Sequence, residues 1–248
     1  EVYVAQRTRF DKIHEFDSEN RHLVLLCENN TGYRNLSKMV SLAWTEGFYN
    51  RPRVDFQLLE QYHEGLIALS ACVSGEIPRA LLRGDYPGAK EAALRYRDIF
   101  GPENFYLELQ DHGLGDEKYV MPSLIRLSEE TGIPLVCTND CHYIEPEDQE
   151  MHRVLMCIQT GRTVEEEGGL EFGSGELYVK SEEEMRALFP QHPEALARTG
   201  DIARRCHVEI EFGKTKLPRF DVPDGTPSES YFRRLCQEGL RARYGEPP

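Results

Sequence analysis

The chain has 248 residues and a formal net charge of −14, with 40% hydrophobic and 29% charged residues. That length admits one large domain, or one domain and a further piece, and no apolar run approaches the roughly 20 residues a membrane helix needs. The acidic balance repels a phosphate backbone at long range, so any nucleic-acid contact has to draw on local cations, metal ions or another domain. Seven scattered cysteines without a CxxC pair argue against a disulfide framework and against a structural zinc finger. Most are expected to be reduced core thiols of a cytoplasmic protein, and no signal-peptide pattern stands at the start.

The chain opens Glu1-Val2-Tyr3-Val4-Ala5, without Met and inside a strand-like run, which reads as a cut in a longer protein. Apolar, β-rich runs at residues 2–5, 22–26, 66–70, 105–109 and 135–138 predict five short strands buried on both faces. Between them, residues 31–44 place Leu36, Met39, Val40, Ala43 and Trp44 on one helix face. Residues 88–100 and 116–131 follow the same pattern, and Gly132 suits a helix C-terminal stop. Strand-helix alternation predicts parallel strands in an α/β fold, which collects reactive residues at the strand C-terminal ends. Asp140 and His142 lie just past one such end, and Ser70 and Cys72 just past another.

Beyond residue 150 the texture changes. A helix is expected over residues 151–160, a Gly and Glu loop over 165–176, and a short strand with a following helix in ELYVKSEEEMRALF, where Ser181 and Glu184 form a capping box. Another helix is expected over 193–206. KLPRFDVPDGTPSES reads as a proline-rich connector, and residues 231–243 as a helix.

Several side chains are candidates for chemistry. Asp140 and His142 are either a helix cap and a surface histidine, or a carboxylate and an imidazole brought to one cavity as ligands for zinc or manganese. His22, Cys72 and Glu1 each have a bland reading: a hydrogen-bonded strand histidine, a buried thiol and an exposed terminal residue. Asp111 and His112 follow a strand end and read as loop polarity or as substrate contacts. Asp148 and His152 share a helix face, which suggests a capping or supporting role. Arg51, Arg53, Arg79 and Arg83 are either solvated surface or phosphate contacts.

Taken together, EVYVAQRTRFDK, HLVLLCENNTGYRNLSKMVS, LIALSACVSGEIPRAL, NFYLELQDHGL and PLVCTNDCHY resemble the PHP (polymerase and histidinol phosphatase) domain at the front of bacterial replicative polymerases of the DNA polymerase III alpha type. The similarity continues through ELYVKSEEEMRALF and LPRFDVPDGTPSESYFRRLCQEGLRARYG. The resemblance implies an α/β fold, a distorted seven-stranded PHP barrel here lacking its first two strands, over residues 1–217. A linker and the beginning of the polymerase region would follow over 218–248. It implies divalent metal ligands at Glu1, His22, Cys72, Asp140 and His142, with Asp140 and His142 catalytic. The cations would be zinc and/or manganese, up to about three in a complete domain, with magnesium serving a polymerase domain elsewhere. The family's His-x-His motif, a further carboxylate and an Asp-His pair have no counterpart here, so the piece alone is expected to be inactive. The implied activity is a metal-dependent 3′ to 5′ proofreading exonuclease within a DNA-directed DNA polymerase. The competing implication is a silent scaffold that stabilises the polymerase and docks a proofreading subunit. Implied partners are DNA, reached mainly through other domains, and holoenzyme subunits such as the sliding clamp and the proofreading subunit, with no membrane. A third expectation, a stand-alone small-molecule phosphatase of the superfamily, is disfavoured by the helical start after LPRFDVP.

Overall fold

A computed structural model describes residues 1–165, 175–215 and 217–245. In chain order it contains β1 (Val2–Val4), α1 (His14–Asp17), β2 (Arg21–Cys27), α2 (Asn30–Thr45), β3 (Arg53–Val54), α3 (Phe56–Tyr62), β4 (Leu66–Leu69), α4 (Glu76–Leu82), α5 (Tyr86–Phe100), β5 (Phe105–Leu109), α6 (Gly115–Thr131) and β6 (Leu135–Cys137). A single 3-10 turn over Pro146–Asp148 leads into α7 (Gln149–Thr160), followed by α8 (Glu182–Leu188), α9 (Pro193–Arg205) and α10 (Ser228–Tyr244). Residues 1–209 form one compact unit and residues 210–248 a second.

All five expected runs form strands. A sixth, β3, is only two residues long and has no run to announce it. The strands are ordered β3-β1-β2-β4-β5-β6 in one sheet, a mixed arrangement compatible with a PHP barrel-like fold. The expectation of parallel strands throughout is corrected at one place. β2 runs antiparallel to both neighbours, pairing Tyr3 with His22 on one side and Val24 with Leu69 on the other, while β4, β5 and β6 are parallel. Reversal of β2 places its first residues level with the C-terminal end of β4, so His22 arrives where the loop after β4 begins. An isolated bridge between His22 and Gly75, and a hydrogen bond from the His22 amide to the Ser74 carbonyl at 3.1 Å, fix that alignment.

The sheet is covered on both faces, as continuous apolar strands require. In β4 and β5 the side chains alternate between two clusters. Leu66, Ala68, Phe105, Leu107 and Leu109 join the larger core with residues of α2 to α6. Ile67, Leu69 and Tyr106 join Val136 and Ile202 of α9 on the other face. Helix boundaries follow their caps. Asn29 accepts from the amides of Thr31 and Gly32 at the start of α2, Asp85 caps α5, Gly132 closes α6 at φ +71, and the expected Ser181–Glu184 capping box opens α8. Trp44 departs from its expected place in the core: it is 58% exposed and stacks on Phe48 with ring centroids 5.5 Å apart. Of the cysteines, only Cys137 and Cys157 are buried, and all seven are free. The strand expected around residues 176–180 is not formed as such. The segment instead makes three backbone bonds to the loop after β6, His142 N–H to Leu177 O at 2.8 Å, Tyr143 N–H to Leu177 O at 3.4 Å and Val179 N–H to Ile144 O at 3.1 Å. Most of the Gly and Glu loop expected at 165–176 lies outside the described residues.

In the second unit, Asp224 accepts from Thr226 and Arg234, and Phe220 packs on Tyr231 at 5.9 Å, which ties the proline-rich connector to α10.

Arg53 overturns both of its expected roles. It is fully buried, and its guanidinium donates to four backbone carbonyls, Gly47 (3.1 Å), Asp17 (3.3 Å), Arg9 (3.2 Å) and Asp11 (2.8 Å). A rigid five-donor fork meets the backbone of the long segment between β1 and β2, which has few ladder partners of its own. Arg53→Met strips four carbonyls, three of them buried, of this donor and is expected to destabilise the chain by about 3 kcal/mol or more, read from urea unfolding, with new protease cleavage within residues 6–20.

Where α2 crosses the start of β4, a Cβ on Gly32 would fall 1.8 Å from the Gly65 carbonyl oxygen, which is backbone and cannot swing away. Gly32→Ala is therefore expected to cost about 1–3 kcal/mol in chemical denaturation. Gly200→Ala in α9, which meets only the flexible end of Arg204 at 3.4 Å, is expected to be neutral or to stabilise by about 0.5–1 kcal/mol.

Candidate metal centre

β1, β2 and the loop after β4 bring three of the expected ligands together. The Glu1 carboxylate lies 3.0 Å from His22 Nδ1, and the Cys72 sulfur lies 3.8 Å from the same nitrogen. Tyr3 packs edge-on against the His22 ring at 5.2 Å. Cys72 and Glu1 hold the proton on His22, pushing the imidazole up to about 9 despite its partial burial, and the same contact holds Glu1 below the usual carboxylate range.

The loop after β6 supplies the second pair. Asp140 Oδ2 and His142 Nε2 are 3.8 Å apart; the imidazole lowers the Asp140 carboxyl and the carboxylate raises His142. The charges of the two pairs act on one another. Asp140 disfavours ionisation of Glu1, His22 favours ionisation of Asp140, and Glu1 favours protonation of His142. All five candidates thus share one electrostatic neighbourhood, although they come from four separate segments. Among the described residues, no three His, Cys, Asp or Glu side chains stand, as placed, in an arrangement that could hold one ion.

The loop bearing Asp140 is tightly built. Asp140 itself has φ +34, unusual for a side chain with a Cβ, though aspartate is among the residues that tolerate it best. Next to it, Asn139 donates to the Tyr178 carbonyl and accepts from Lys180 at 3.4 Å. His112, left open between loop polarity and substrate contact, does neither. It is 1% exposed, with Nδ1 2.6 Å from Glu117 Oε1 and Nε2 2.8 Å from the Asn139 carbonyl. Against its burial, which disfavours the charged ring, Glu117 beside Nδ1 and the Asn139 carbonyl beside Nε2 raise His112 above the ordinary imidazole range, and the ring braces the residue before Asp140. Asp111 accepts from the Gly113 amide in a local turn. His152 lies against the His142 ring at 5.3 Å and Tyr143 at 5.4 Å, a supporting position, whereas Asp148 is engaged by the Glu145 amide. Arg51 and Arg83 are exposed, and Arg79 reaches Glu19 at 3.4 Å.

The sequence reasoning passed over Glu108. It is 4% exposed at the end of β5, and burial pushes its carboxyl up to about 7. The signal was present: in FYLEL it is the one charged residue in a strand otherwise apolar on both faces.

As donors, a carboxylate, an imidazole and a thiol around one position, with a second carboxylate-imidazole pair nearby, suit a borderline-soft divalent cation. Glu1 and Cys72, both directed at His22 Nδ1, stand around the place such a charge would take.

Residues 1–112 match the PHP domain family. Across 98% of its length the chain is similar to DNA polymerase III subunit alpha of Treponema pallidum (45% identical), of Borreliella burgdorferi (41%) and of Thermus aquaticus (38%), in each case covering 21% of the relative. The chain therefore spans about a fifth of the length of these curated relatives. Through residues 1–112 the chain is similar to the PHP domain family, and over almost its entire length it is similar to the corresponding part of DNA polymerase III alpha subunits.

Proposed function

We propose that the chain is the PHP portion of a replicative DNA-directed DNA polymerase and that Glu1, His22, Cys72, Asp140 and His142 hold divalent cations, zinc and/or manganese, for phosphodiester hydrolysis in the manner of a 3′ to 5′ proofreading exonuclease. The observation that carries this reading is the His22 imidazole touched at once by Glu1 and Cys72, from segments that have no structural need to place three ligand-type groups together. When bound, such cations supply an activated water and neutralise charge developing on phosphoryl oxygens.

The chain's own residues prepare that role. Glu1 and Asp140, both held below the usual carboxylate range, stay ionised at neutral pH and give the site negative charge. His22 has to give up its proton before Nδ1 can ligate, and Cys72 has to close on the same position from 3.8 Å. His142, raised by Asp140, is placed to hold a proton beside the reacting group. DNA would reach the site through domains beyond this chain, in keeping with its charge of −14, and the sliding clamp and a proofreading subunit are the partners that such a polymerase implies.

The second reading keeps the fold and drops the turnover: a scaffold that stabilises the polymerase and docks a separate proofreading subunit. It draws support from the pairing of Glu1 with His22 and of Asp140 with His142, which ties these segments together through side chains alone.

Metal analysis and exonuclease assay on the full-length polymerase separate the two. Stoichiometric zinc or manganese, with 3′ to 5′ degradation that falls by about a hundredfold or more in Asp140→Ala, supports the first; degradation unchanged in that variant rejects it. Because the cation competes with the His22 proton, its affinity is expected to rise with pH until about 9 and to level off above, as followed by calorimetric titration.

A further inference from the structure

Two loops leave the sheet beside the Glu1–His22 pair, one beginning at Ser70 and carrying Cys72, the other beginning at Thr138 and carrying Asp140 and His142. Glu108, on the strand between them, reaches both. Its carboxylate accepts the Ala71 amide on one side and the Thr138 hydroxyl, at 2.7 Å, on the other, while its own amide donates to Ser70 Oγ at 2.8 Å. Gln110 adds a bond to Thr138 Oγ1 at 3.0 Å. Ala71 immediately precedes Cys72, and Thr138 stands two residues before Asp140.

The Ala71 backbone has φ +64, a conformation that a residue with a Cβ adopts only when its surroundings impose it. The amide that Glu108 accepts belongs to that residue, so the carboxylate is placed to impose it. Carrying a carboxyl into a position 4% exposed is costly, and an apolar strand of this kind has no packing use for one. Its hydrogen bonds go to the two loops, to their anchoring hydroxyls and to Gln110, which itself bonds Thr138.

We propose that Glu108 is a positioning residue that couples the Cys72 loop to the Asp140 loop, so that the two halves of the candidate centre are set in place together. It acts on the loops that carry the candidate ligands through Ala71 and Thr138. Its consequence for cations rests on the metal-centre reading above; the coupling itself is a property of the chain alone.

Hydrogen exchange resolved by mass spectrometry on the full-length polymerase, without added metal, tests the coupling in Glu108→Ala, Glu108→Gln and Thr138→Val. Glu108→Ala is expected to speed exchange in residues 70–73 and 138–142 together by about tenfold or more, with the rest of the sheet unchanged. Glu108→Gln keeps an acceptor for Ala71 and a group that can donate to Thr138, and is expected to stay near wild type. Thr138→Val, which alters only the second loop directly, is expected to speed exchange at Ala71 as well, and it decides the matter if Glu108→Ala fails to fold. A rise confined to one loop, or a uniform rise across the sheet in Thr138→Val, overturns the coupling. In parallel, titration with Co²⁺ follows the thiolate-to-metal absorption that ligation by Cys72 would give. Affinity about 10 to 100 times weaker in Glu108→Ala and restored in Glu108→Gln supports the positioning role, and unchanged affinity in Glu108→Ala overturns it. No absorption in wild type removes the metal-centre reading while the exchange comparison still decides the coupling.

Discussion

The whole arrangement depends on the reversed direction of β2. A strand running antiparallel between β1 and β4 delivers its first residues, not its last, to the end of the sheet where the loops after β4 and β6 begin. His22 is second in that strand, and the backbone bond from its amide to Ser74 locks it against the loop carrying Cys72. In a sheet parallel throughout, the same histidine would stand at the opposite end from Cys72. The ladder hydrogen bonds of β2 therefore set the chemistry of the site as well as the stability of the sheet, because a one-residue slip would turn buried Leu23 and Leu25 out of the larger core.

Around that frame, buried polar groups substitute for regular secondary structure. Arg53 organises the segment between β1 and β2 through three carbonyls, His112 and Glu117 brace the residue before Asp140, and Glu108 spans two loops. Each lies beside a stretch that has no ladder or helix to satisfy its backbone, which is where a buried donor or acceptor with fixed geometry contributes most. The electrostatic result is a shared field: Glu1, His22, Asp140 and His142 each alter the proton affinity of another member.

Much of the fold was legible in the sequence for simple reasons. Runs such as LIAL and FYLEL are too short and too apolar to be anything but doubly covered strands, and Gly132 and the Ser181–Glu184 box mark helix ends by chemistry that acts within a few residues. Strand direction was not legible, since a run of apolar residues carries no arrow, and β3 had only two residues with which to declare itself. Trp44 fell on the expected helix face yet lies exposed and stacked on Phe48, one residue round the helix from Ala43, which is the last residue of α2 buried in the core. For the candidate site, residue types at strand ends pointed to Asp140, His142 and Cys72, but Glu1 and His22 gained meaning only through resemblance and then through contact. The polar residues that brace the site were misjudged. Arg53 and His112 were expected at the surface, and Glu108 was passed over, because burial of a charge is decided by partners distant in sequence.

The crossing of α2 over the start of β4 has a consequence for how such a chain can change over generations. Gly32 and Gly65 each occupy the space that a side chain on the other would need, and Gly65 in addition holds φ +73 and lies close to the capping oxygen of Asn29. Neither position can accept a Cβ first and wait for the other to adjust, since both obstacles are backbone. Mutational drift at this crossing is barred stepwise, and a lineage could leave the glycine pair only by shifting the helix itself, along with the cap and the strand that the helix covers.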